Sequence, residues 1–405
     1  MLFYHVFCVL CIEKFYLCEK SIYMKHLLII WMTACLCGCA GKSINNEILQ
    51  IDVNAEHSPI RLNLKDIADV TYIKLANNTN FLVRSRVLAC SENYMLTKGG
   101  ETGEILMFDR EGQPVRKFSH YGNGPHEYNY ITNLRVDEKR GEIYVHDIFS
   151  RKIVVYDLNG EYIRKFPSGD ARFIYNFDDD AFLVYNTETN RVNADLKPYF
   201  SILSKNDGKI LIKIDVPFSS EKKYDLAVTK QGDGGSFTYT AMHLPVVRNS
   251  EGYVLNELSS DTIYLYSYDK VLTPIMLRTP AISSMSVPTF LQYGIETSKY
   301  VFLTRISVDE NNERNMFPET NWVYNKENGD INEYEIRNDD YPDAKIVLNS
   351  HLVNCDMQSG YGVSRFNAGE LVEAYQEGKL YGELKHLASS LEDEDNDVLI
   401  LYKFK

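Results

Sequence analysis

Three histidines that lie close together in the chain, His120, His126 and His146, are the first residues that suggest metal chemistry. Imidazole is a common zinc ligand, and a zinc site needs several ligands at spacings that a helix or hairpin brings together. The separations here are six and twenty residues, which match no such ligand pair. We therefore predict no metal site and no cofactor, and we expect His146 and Asp147 to form a polar contact inside a strand-rich unit.

The acidic run from Glu392 to Asp397 contains a second set of oxygen ligands. A calcium loop places its ligands at alternate positions around a central glycine, and this run lacks both features. The run is interpreted as a solvated turn before the last strand.

The segment Gly122–Tyr128 is rich in glycine, as phosphate-binding loops are. It lacks the lysine and the serine or threonine of such loops, and no helix start follows it. We predict instead that Gly122, Gly124, Pro125 and Glu127 have structural roles in a turn between two units, with Glu127 capping nearby backbone amides.

Nucleophilic catalysis has no recognisable signature in this chain. There is no Gly-x-Ser-x-Gly motif, no His-Glu-x-x-His motif and no cysteine in a catalytic context. No catalytic residue is therefore predicted, although an active site assembled from several distant segments stays open.

The charge balance excludes one class of partner. The chain has 43 basic and 56 acidic residues and a formal net charge of −13. A nucleic-acid partner requires a basic surface that releases counterions, so we predict no nucleic-acid binding.

The N-terminal region carries an export pattern. Met24-Lys25-His26 precedes the apolar run Leu27–Ala34, and Leu36-Cys37-Gly38-Cys39 follows it. This arrangement resembles the bacterial lipobox, which implies a signal peptide over 24–38, lipidation of Cys39 and attachment to a membrane through that lipid.

The flanking segments complete this interpretation. Residues 1–23 precede a natural-looking start at Met24 and are interpreted as a non-native extension. The alternative is a transmembrane segment, but the charges of this segment interrupt any stretch long enough to span a membrane. Residues 39–58 are predicted to be a lipidated tether. Because Ala40-Gly41-Lys42-Ser43 has no acidic residue, we favour the periplasmic face of the outer membrane over the cell surface.

Cysteine usage says little about the folded part. Six of the eight cysteines lie at or before Cys39. Cys90 and Cys355 alone follow, and they form either one long-range disulfide or two buried thiols.

An internal repeat identifies the architecture. Ile105–Phe118 matches Ile153–Phe166 at an offset of 48 residues, with six of fourteen positions identical. Each copy reads as a strand, an Asp-x-x-Gly turn and a returning strand, and the turn residues are Asp109 and Gly112 in the first copy and Asp157 and Gly160 in the second. Weaker copies follow around Gly208, Tyr268-Asp269-Lys270 and Gly329.

Recurring units of this length predict an all-β, six-bladed β-propeller over residues 59–405. The last strand, Val398–Phe404, is expected to pair with the N-terminal strands near Ile60–Leu75 and to close the ring. A short helical insertion is predicted over Ala368–Leu391, where leucines recur every three or four residues.

Several of these segments resemble a known family. Gly122–Tyr128, Ile143-Tyr144-Val145-His146-Asp147 and Ile153–Gly160 are similar to an NHL-type blade, and Leu391–Leu399 is similar to an acidic Asp-Asn-Pro-Val closing segment. The whole resembles the six-bladed propeller lipoproteins of Gram-negative anaerobes. The resemblance implies fold and export but no activity, because that family has no settled biochemical function.

Three functions are compatible with this sequence. The favoured hypothesis is a non-catalytic binding or scaffolding module that engages a glycan, a peptide or an envelope protein through loops on one face. The alternatives are a hydrolase or lyase with a metal ion on the propeller axis, and a purely structural ring. Residues that line the central funnel are expected to decide among them.

Overall fold

The protein is described by a computed structural model over residues 48–405, apart from residues 78–79, 187–199, 218–223, 233–234, 242, 313 and 349–359 and the side chains of residues 84–86. Cys39, the signal peptide 24–38 and Cys355 lie outside the described residues, so lipidation and the pairing of Cys90 with Cys355 stay predictions. Within the described part of the chain, no helix is long and apolar enough to cross a membrane.

Strands make up most of the described chain. The first half contains β1 (Leu49–Asp52), β2 (Pro59–Asn63), α1 (Leu64–Ile67), β3 (Ala68–Lys74), β4 (Val83–Cys90), β5 (Tyr94–Gly99), β6 (Glu104–Asp109), β7 (Pro114–Ser119), β8 (Asn133–Asp137), β9 (Glu142–Asp147), β10 (Lys152–Asp157), β11 (Tyr162–Pro167), β12 (Ala171–Asn176), β13 (Ala181–Asn186), β14 (Phe200–Ser204) and β15 (Ile210–Ile214).

The second half begins with a separate hairpin and contains the two longer helices. Its elements are β16 (Ala227–Gly232), β17 (Gly235–Thr240), β18 (Val246–Arg248), β19 (Gly252–Leu255), β20 (Thr262–Ser267), β21 (Leu272–Thr279), a 3₁₀ turn (Ile282–Ser284), β22 (Thr289–Glu296), β23 (Tyr300–Ser307), β24 (Glu319–Asn325), β25 (Ile331–Arg337), β26 (Tyr361–Phe366), α2 (Ala368–Gln376), α3 (Gly382–Ala388) and β27 (Val398–Phe404).

These strands form six blades, which confirms the predicted propeller. Blades 1 to 5 are built on β4–β7, β8–β11, β12–β15, β18–β21 and β22–β25, and blade 6 contains β26, β27 and β3 in that spatial order. Neighbouring blades meet along their inner strands, β4 against β8 and β8 against β12, while β26 lies against β4. The apolar core is distributed between the blades: Met107 of blade 1 packs with Val145 of blade 2, for example.

Alternating strand direction gives the ring two different faces. The turn face carries the connections between first and second and between third and fourth strands, at residues 91–93, 110–113, 138–141, 158–161, 177–180, 205–209 and 249–251. The loop face carries connections of both short and long length, at residues 100–103, 120–132, 148–151, 256–261, 308–318 and 367–397.

The repeated turns occupy equivalent positions between the third and fourth strands of blades 1 to 3. Asp109 Oδ1 accepts hydrogen bonds from the backbone amides two and four residues later, at 3.0 and 2.7 Å, and Asp157 Oδ1 does the same at 2.8 Å each. Gly112, Gly160 and Gly208 have φ angles of 82°, 84° and 72°, in the region that favours glycine. This geometry explains the Asp-x-x-Gly signature of the first two copies.

The ring is closed by the two ends of the described chain, as the sequence predicts. Strand β27 pairs antiparallel with β3, with Val398 opposite Lys74 and Phe404 opposite Ala68. The preceding acidic run is more than a solvated turn, because Asn396 is only 5% exposed. Its carboxamide donates to the carbonyls of Ala76 and Phe81 at 3.1 and 2.8 Å and accepts from the Val83 amide at 2.9 Å.

The propeller begins earlier than residue 59. Strand β1 adds in parallel to β21 at the outer edge of blade 4, and β2 adds in parallel to β25 of blade 5. Ile51 and Val53 are fully buried against blade 4, although they lie in the predicted tether 39–58. Apolar and polar residues alternate from Leu49 to Val53, which is typical of a strand. The alternation is short and flanked by polar residues, so the sequence alone predicts a tether there.

The predicted helical insertion is two helices rather than one continuous helix. Gly378, with a φ of 73°, follows α2 and ends it. Leu371 of α2 and Leu384 of α3 are fully buried in one cluster with Val398. The pair covers the loop face of blade 6.

Candidate functional site

A cavity of about 430 Å³ opens at the propeller axis on the turn face. It is formed where blades 1, 2, 3, 4 and 6 converge. Its charged lining residues are Glu92, Asp137, Glu138, Asp178, Asp179, Arg110, Lys205 and Arg248. The volume falls within the range of about 300–1,000 Å³ typical of small-ligand sites.

Lys205 is the most deeply placed cation of this cavity, with a side chain only 1% exposed. Its Nζ donates to Asp137 Oδ2 at 2.7 Å and to the Asp178 carbonyl at 2.8 Å. The rings of Phe182 and Tyr144 lie 5.2 and 5.9 Å from the same nitrogen. This lysine therefore links blade 2 to blade 3 and neutralises Asp137 from within.

The other two cations are also held by the protein. Arg110 donates to Cys90 Sγ at 2.9 Å and to the Ser91 carbonyl at 3.1 Å. Arg248 donates from Nε to the Tyr268 hydroxyl at 2.9 Å. The positive groups of the cavity are thus engaged in intramolecular contacts that hold them in place.

The carboxylates divide into held and solvent-facing groups. Glu138 accepts from the Asn93 backbone and side chain at 2.8 and 2.6 Å. Burial raises the pKa of Glu138, but hydrogen bonds from Ser91 and Asn93 outweigh burial and lower it overall. Glu92 and Asp178 are exposed at the opening, so the surface offered to a ligand is negative.

A charged network beside the cavity fixes its blade 2 and blade 3 walls. Glu142 accepts from Arg164 at 2.5 and 2.8 Å and from Arg140 at 3.1 Å. Burial raises the pKa of Glu142, while hydrogen bonds from Arg164, Tyr144 and Arg140 lower it to about 2. Arg140 also reaches Asp180 at 3.2 Å in blade 3. The cavity wall is therefore organised before any ligand arrives.

Two aromatic residues complete the lining. Phe177 is buried and stands 5.8 and 5.7 Å, between ring centroids, from Tyr253 and Tyr266 of blade 4. Tyr361 is half-buried at the start of β26. These rings give the acidic opening an apolar wall.

The arrangement is suited to binding a cation. An alkyl stem can pack on Phe177 and Tyr361 while its charged end meets the exposed carboxylates. Within the described residues, no group of three or more His, Cys, Asp or Glu side chains could hold a metal ion.

The predicted interblade turn lies on the loop face, away from this cavity. The Gly124 amide donates to Glu127 Oε2 at 2.6 Å. A side chain on Gly122 or Gly124 would collide with the Glu127 carboxylate, since an added Cβ would lie 2.2 or 2.8 Å from Oε2. Pro125 lies in the same connection between β7 and β8.

The three histidines are separated into different contacts. His120 stacks on Tyr156 at 4.7 Å and His126 stacks on Tyr162 at 3.8 Å between ring centroids. His146 is fully buried and neither ring nitrogen has a hydrogen-bond partner among the described residues. The expected polar contact is therefore wrong for His146. Burial first and the charge of Arg135 second lower the pKa of its ring to about 4.

The sequence did not identify the cavity residues. Asp137 and Glu138 follow one strand and Lys205 follows another in a different blade, so their proximity requires knowledge of blade order. The available signal was the equivalence of Lys205 with Arg110: both directly follow the third strand of their blade.

Fold and site together define a class: a six-bladed β-propeller with a charged axial cavity of ligand-binding size. The chain belongs to the family described as a domain of unknown function, DUF4934, whose model matches residues 47–403. No curated protein matches the chain.

Solved structures of similar fold come from several bacteria. A candidate exported protein of Bacteroides fragilis NCTC 9343 matches with a TM-score of 0.58 and 15% sequence identity, over 88% of this chain and 99% of that one. A DUF4221 family member of Bacteroides vulgatus ATCC 8482 matches with a TM-score of 0.37 and 12% identity, over 84% and 97%. A virginiamycin B lyase of Staphylococcus aureus matches with a TM-score of 0.29 and 10% identity, over 63% and 95%. The first of these likenesses shows a shared fold.

Proposed function

We propose that this protein is an exported, lipid-anchored binding module whose axial cavity receives a lysine or arginine side chain of a peptide segment from an envelope protein. The observation that carries the proposal is the cavity's charge arrangement. Its cations are held by internal contacts, whereas Glu92 and Asp178 face solvent.

The chemistry of the cavity favours a peptide over a neutral glycan. A neutral sugar gains nothing from exposed carboxylates, whereas a guanidinium or ammonium group forms charge-assisted hydrogen bonds with them. The Phe177 and Tyr361 rings provide contact area for the aliphatic stem and a cation–π partner for its charge. The preorganised wall reduces the ordering cost of binding.

Export and lipid anchoring are supported by separate observations. The Leu36–Cys39 pattern follows a short apolar run after Met24-Lys25-His26. The Bacteroides fragilis relative of similar fold carries the description of a candidate exported protein. We propose the outer membrane, with the propeller on the periplasmic side, as the site of action.

The test is isothermal titration of the purified protein with trilysine, triarginine, triglutamate and triglycine peptides. We expect the two cationic peptides alone to bind, with an affinity that falls as salt rises because the contacts are ionic. Glu92→Gln with Asp178→Asn keeps side-chain size, and it should weaken binding by about tenfold or more.

The matched control carries the same charge change elsewhere. Glu373→Gln with Asp393→Asn alters two exposed acids on the loop face and should leave binding within about twofold of the parent. Absence of binding by both cationic peptides, or equal losses in the two double variants, would refute the proposal.

A further inference from the structure

The loop face carries a highly exposed aromatic residue, Phe149. Phe149 lies in the short connection between β9 and β10, and 78% of its surface is exposed. Its ring meets Tyr130 edge-on, with centroids 5.0 Å apart, and Tyr130 itself is 48% exposed. An exposed aromatic pair of this kind contributes little to folding and provides a flat apolar surface for a ligand.

The two segments that carry this pair are fastened to each other. Asp147 is fully buried and accepts from the Asn129 amide at 2.9 Å, the Ser150 amide at 3.0 Å and the Ser150 hydroxyl at 2.8 Å. The Ile148 amide donates to Thr132 Oγ1 at 3.3 Å. Phe149 and Tyr130 are therefore presented by a fixed frame, which lowers the cost of binding.

Cations flank the pair, although the chain as a whole is strongly acidic. The Lys98 ammonium lies 5.0 Å from the centroid of the Tyr130 ring. Arg151 follows Phe149 by two residues, and its side chain is 58% exposed in an ion pair with Asp170 at 3.4 Å. Asp170 balances the charge of Arg151, so the Lys98 ammonium beside the Tyr130 ring is the charge that favours an anionic ligand.

Hydrogen-bonding amides stand next to the rings. The Asn129 side chain donates to Asn123 Oδ1 at 2.8 Å, which fixes the orientation of both carboxamides beside Tyr130. The oriented amides can hydrogen-bond with sugar hydroxyls, the aromatic face can pack on the C–H face of a sugar ring, and the ammonium group can pair with a carboxylate. Uronic acids carry all three features.

We propose that Phe149, braced by Tyr130 and flanked by Lys98, is the stacking platform of a second binding site, which takes an acidic saccharide. The site is on the loop face and is independent of the axial cavity on the turn face. A pyranose ring stacks its C–H face on Phe149, and its carboxylate is directed to Lys98.

An anionic membrane would also bind through exposed aromatic and cationic side chains, but it requires a broader binding surface on the protein. Interfacial segments bury a large apolar face with many basic residues, whereas this frame offers one aromatic pair and two cations. The saccharide is therefore the better match in size.

The experiment is saturation-transfer NMR and titration of the purified protein with tetragalacturonate, mannotetraose and phosphatidylglycerol vesicles. We expect tetragalacturonate to bind and mannotetraose to bind more weakly. Phe149→Ala should reduce tetragalacturonate affinity by about tenfold or more, and Lys98→Met should remove the preference for the acidic sugar.

The control variant is Phe237→Ala, which removes an aromatic ring that is 55% exposed on the hairpin strand β17 and should leave binding unchanged. Tyr130→Ala serves as a second platform variant, and circular dichroism checks that each variant is folded. Failure of tetragalacturonate to bind, equal binding of mannotetraose, retention of binding by Phe149→Ala, or Phe149-dependent binding to vesicles alone would overturn the assignment.

Discussion

Replacing Lys205 by methionine tests whether the axial cavity depends on a buried charge pair. Methionine approximates the length of lysine but leaves the Asp137 carboxylate, only 11% exposed, without its cation. The variant loses hydrogen bonds of 2.7 and 2.8 Å to Asp137 and the Asp178 carbonyl. Removing one partner of a buried pair costs about 3–5 kcal/mol of unfolding free energy. Because solvent reaches the pair from the cavity, we expect Lys205→Met to cost about 3 kcal/mol.

The assay is urea unfolding followed by circular dichroism. With a slope of about 3 kcal/mol per molar urea, a loss of about 3 kcal/mol lowers the midpoint by about 1 M. Adding Asp137→Asn removes the buried carboxylate charge that has lost its lysine partner, so the double variant should regain about half of the lost stability.

Lys209→Met is the matched control. Lys209 lies in the same turn and pairs with Asp207, but its side chain is 79% exposed, so its removal should leave the urea midpoint nearly unchanged. A Lys205→Met variant no less stable than Lys209→Met, or a double variant no more stable than Lys205→Met, would refute the reasoning.

Three further predictions concern the ring and its interior. Asn396→Ala deletes three hydrogen bonds at the closure and should cost about 2–4 kcal/mol of unfolding free energy in urea. The pKa of His146 is lowered by burial to about 4, so the unfolded chain takes up this proton first as pH falls. His146 should lower stability by about 3 kcal/mol between about pH 6.5 and pH 4, and His146→Leu should remove this contribution. The decline due to His243, whose pKa burial also lowers to about 4, should remain. Gly112→Ala places a Cβ 2.4 Å from the Lys74 carbonyl oxygen and should cost more than Gly141→Ala, where φ is 67° and nothing lies within 4 Å.

Each of these predictions has a contradicting result. A loss of less than about 1 kcal/mol of unfolding free energy in Asn396→Ala would contradict the role of Asn396 in ring closure. A decline as steep in His146→Leu as in the parent protein would show that His146 does not contribute to it. Equal costs at the two glycines would mean that the φ angle alone, and not the close approach to blade 6, sets the penalty at Gly112.

The fold was predictable because its signals lie in short contiguous segments of the sequence. In blades 1 and 2 the turn between the third and fourth strands uses an aspartate that accepts from two later amides and a glycine at positive φ, so Asp109, Gly112, Asp157 and Gly160 repeat 48 residues apart. Ring closure followed from a terminal strand that lacked a partner. Strand β1 was missed because a four-residue strand leaves only one or two alternations in the sequence. Strand β2 lies within the predicted strand region, but its pairing with blade 5 depends on contacts between distant segments.

The candidate site was not predictable in the same way. Asp137 and Lys205 are 68 residues apart, and they meet because the end of the first strand of blade 2 lies on the turn face beside the turn that follows the third strand of blade 3. Nor did the sequence distinguish Phe149 from a core aromatic, since exposure depends on where the turn after β9 points. The helical insertion shows an intermediate case: leucine spacing gave the helix, while the φ of Gly378, 73°, decided that it ends after α2.

A crystal structure of the protein with bound trilysine would show whether the axial cavity receives a cationic side chain. We expect one lysine side chain on the propeller axis at the turn face, with its ammonium group within hydrogen-bond distance of Glu92 or Asp178 and its stem against Phe177 and Tyr361. A peptide bound at any other surface, or an axial cavity empty in crystals that hold the peptide elsewhere, would contradict it.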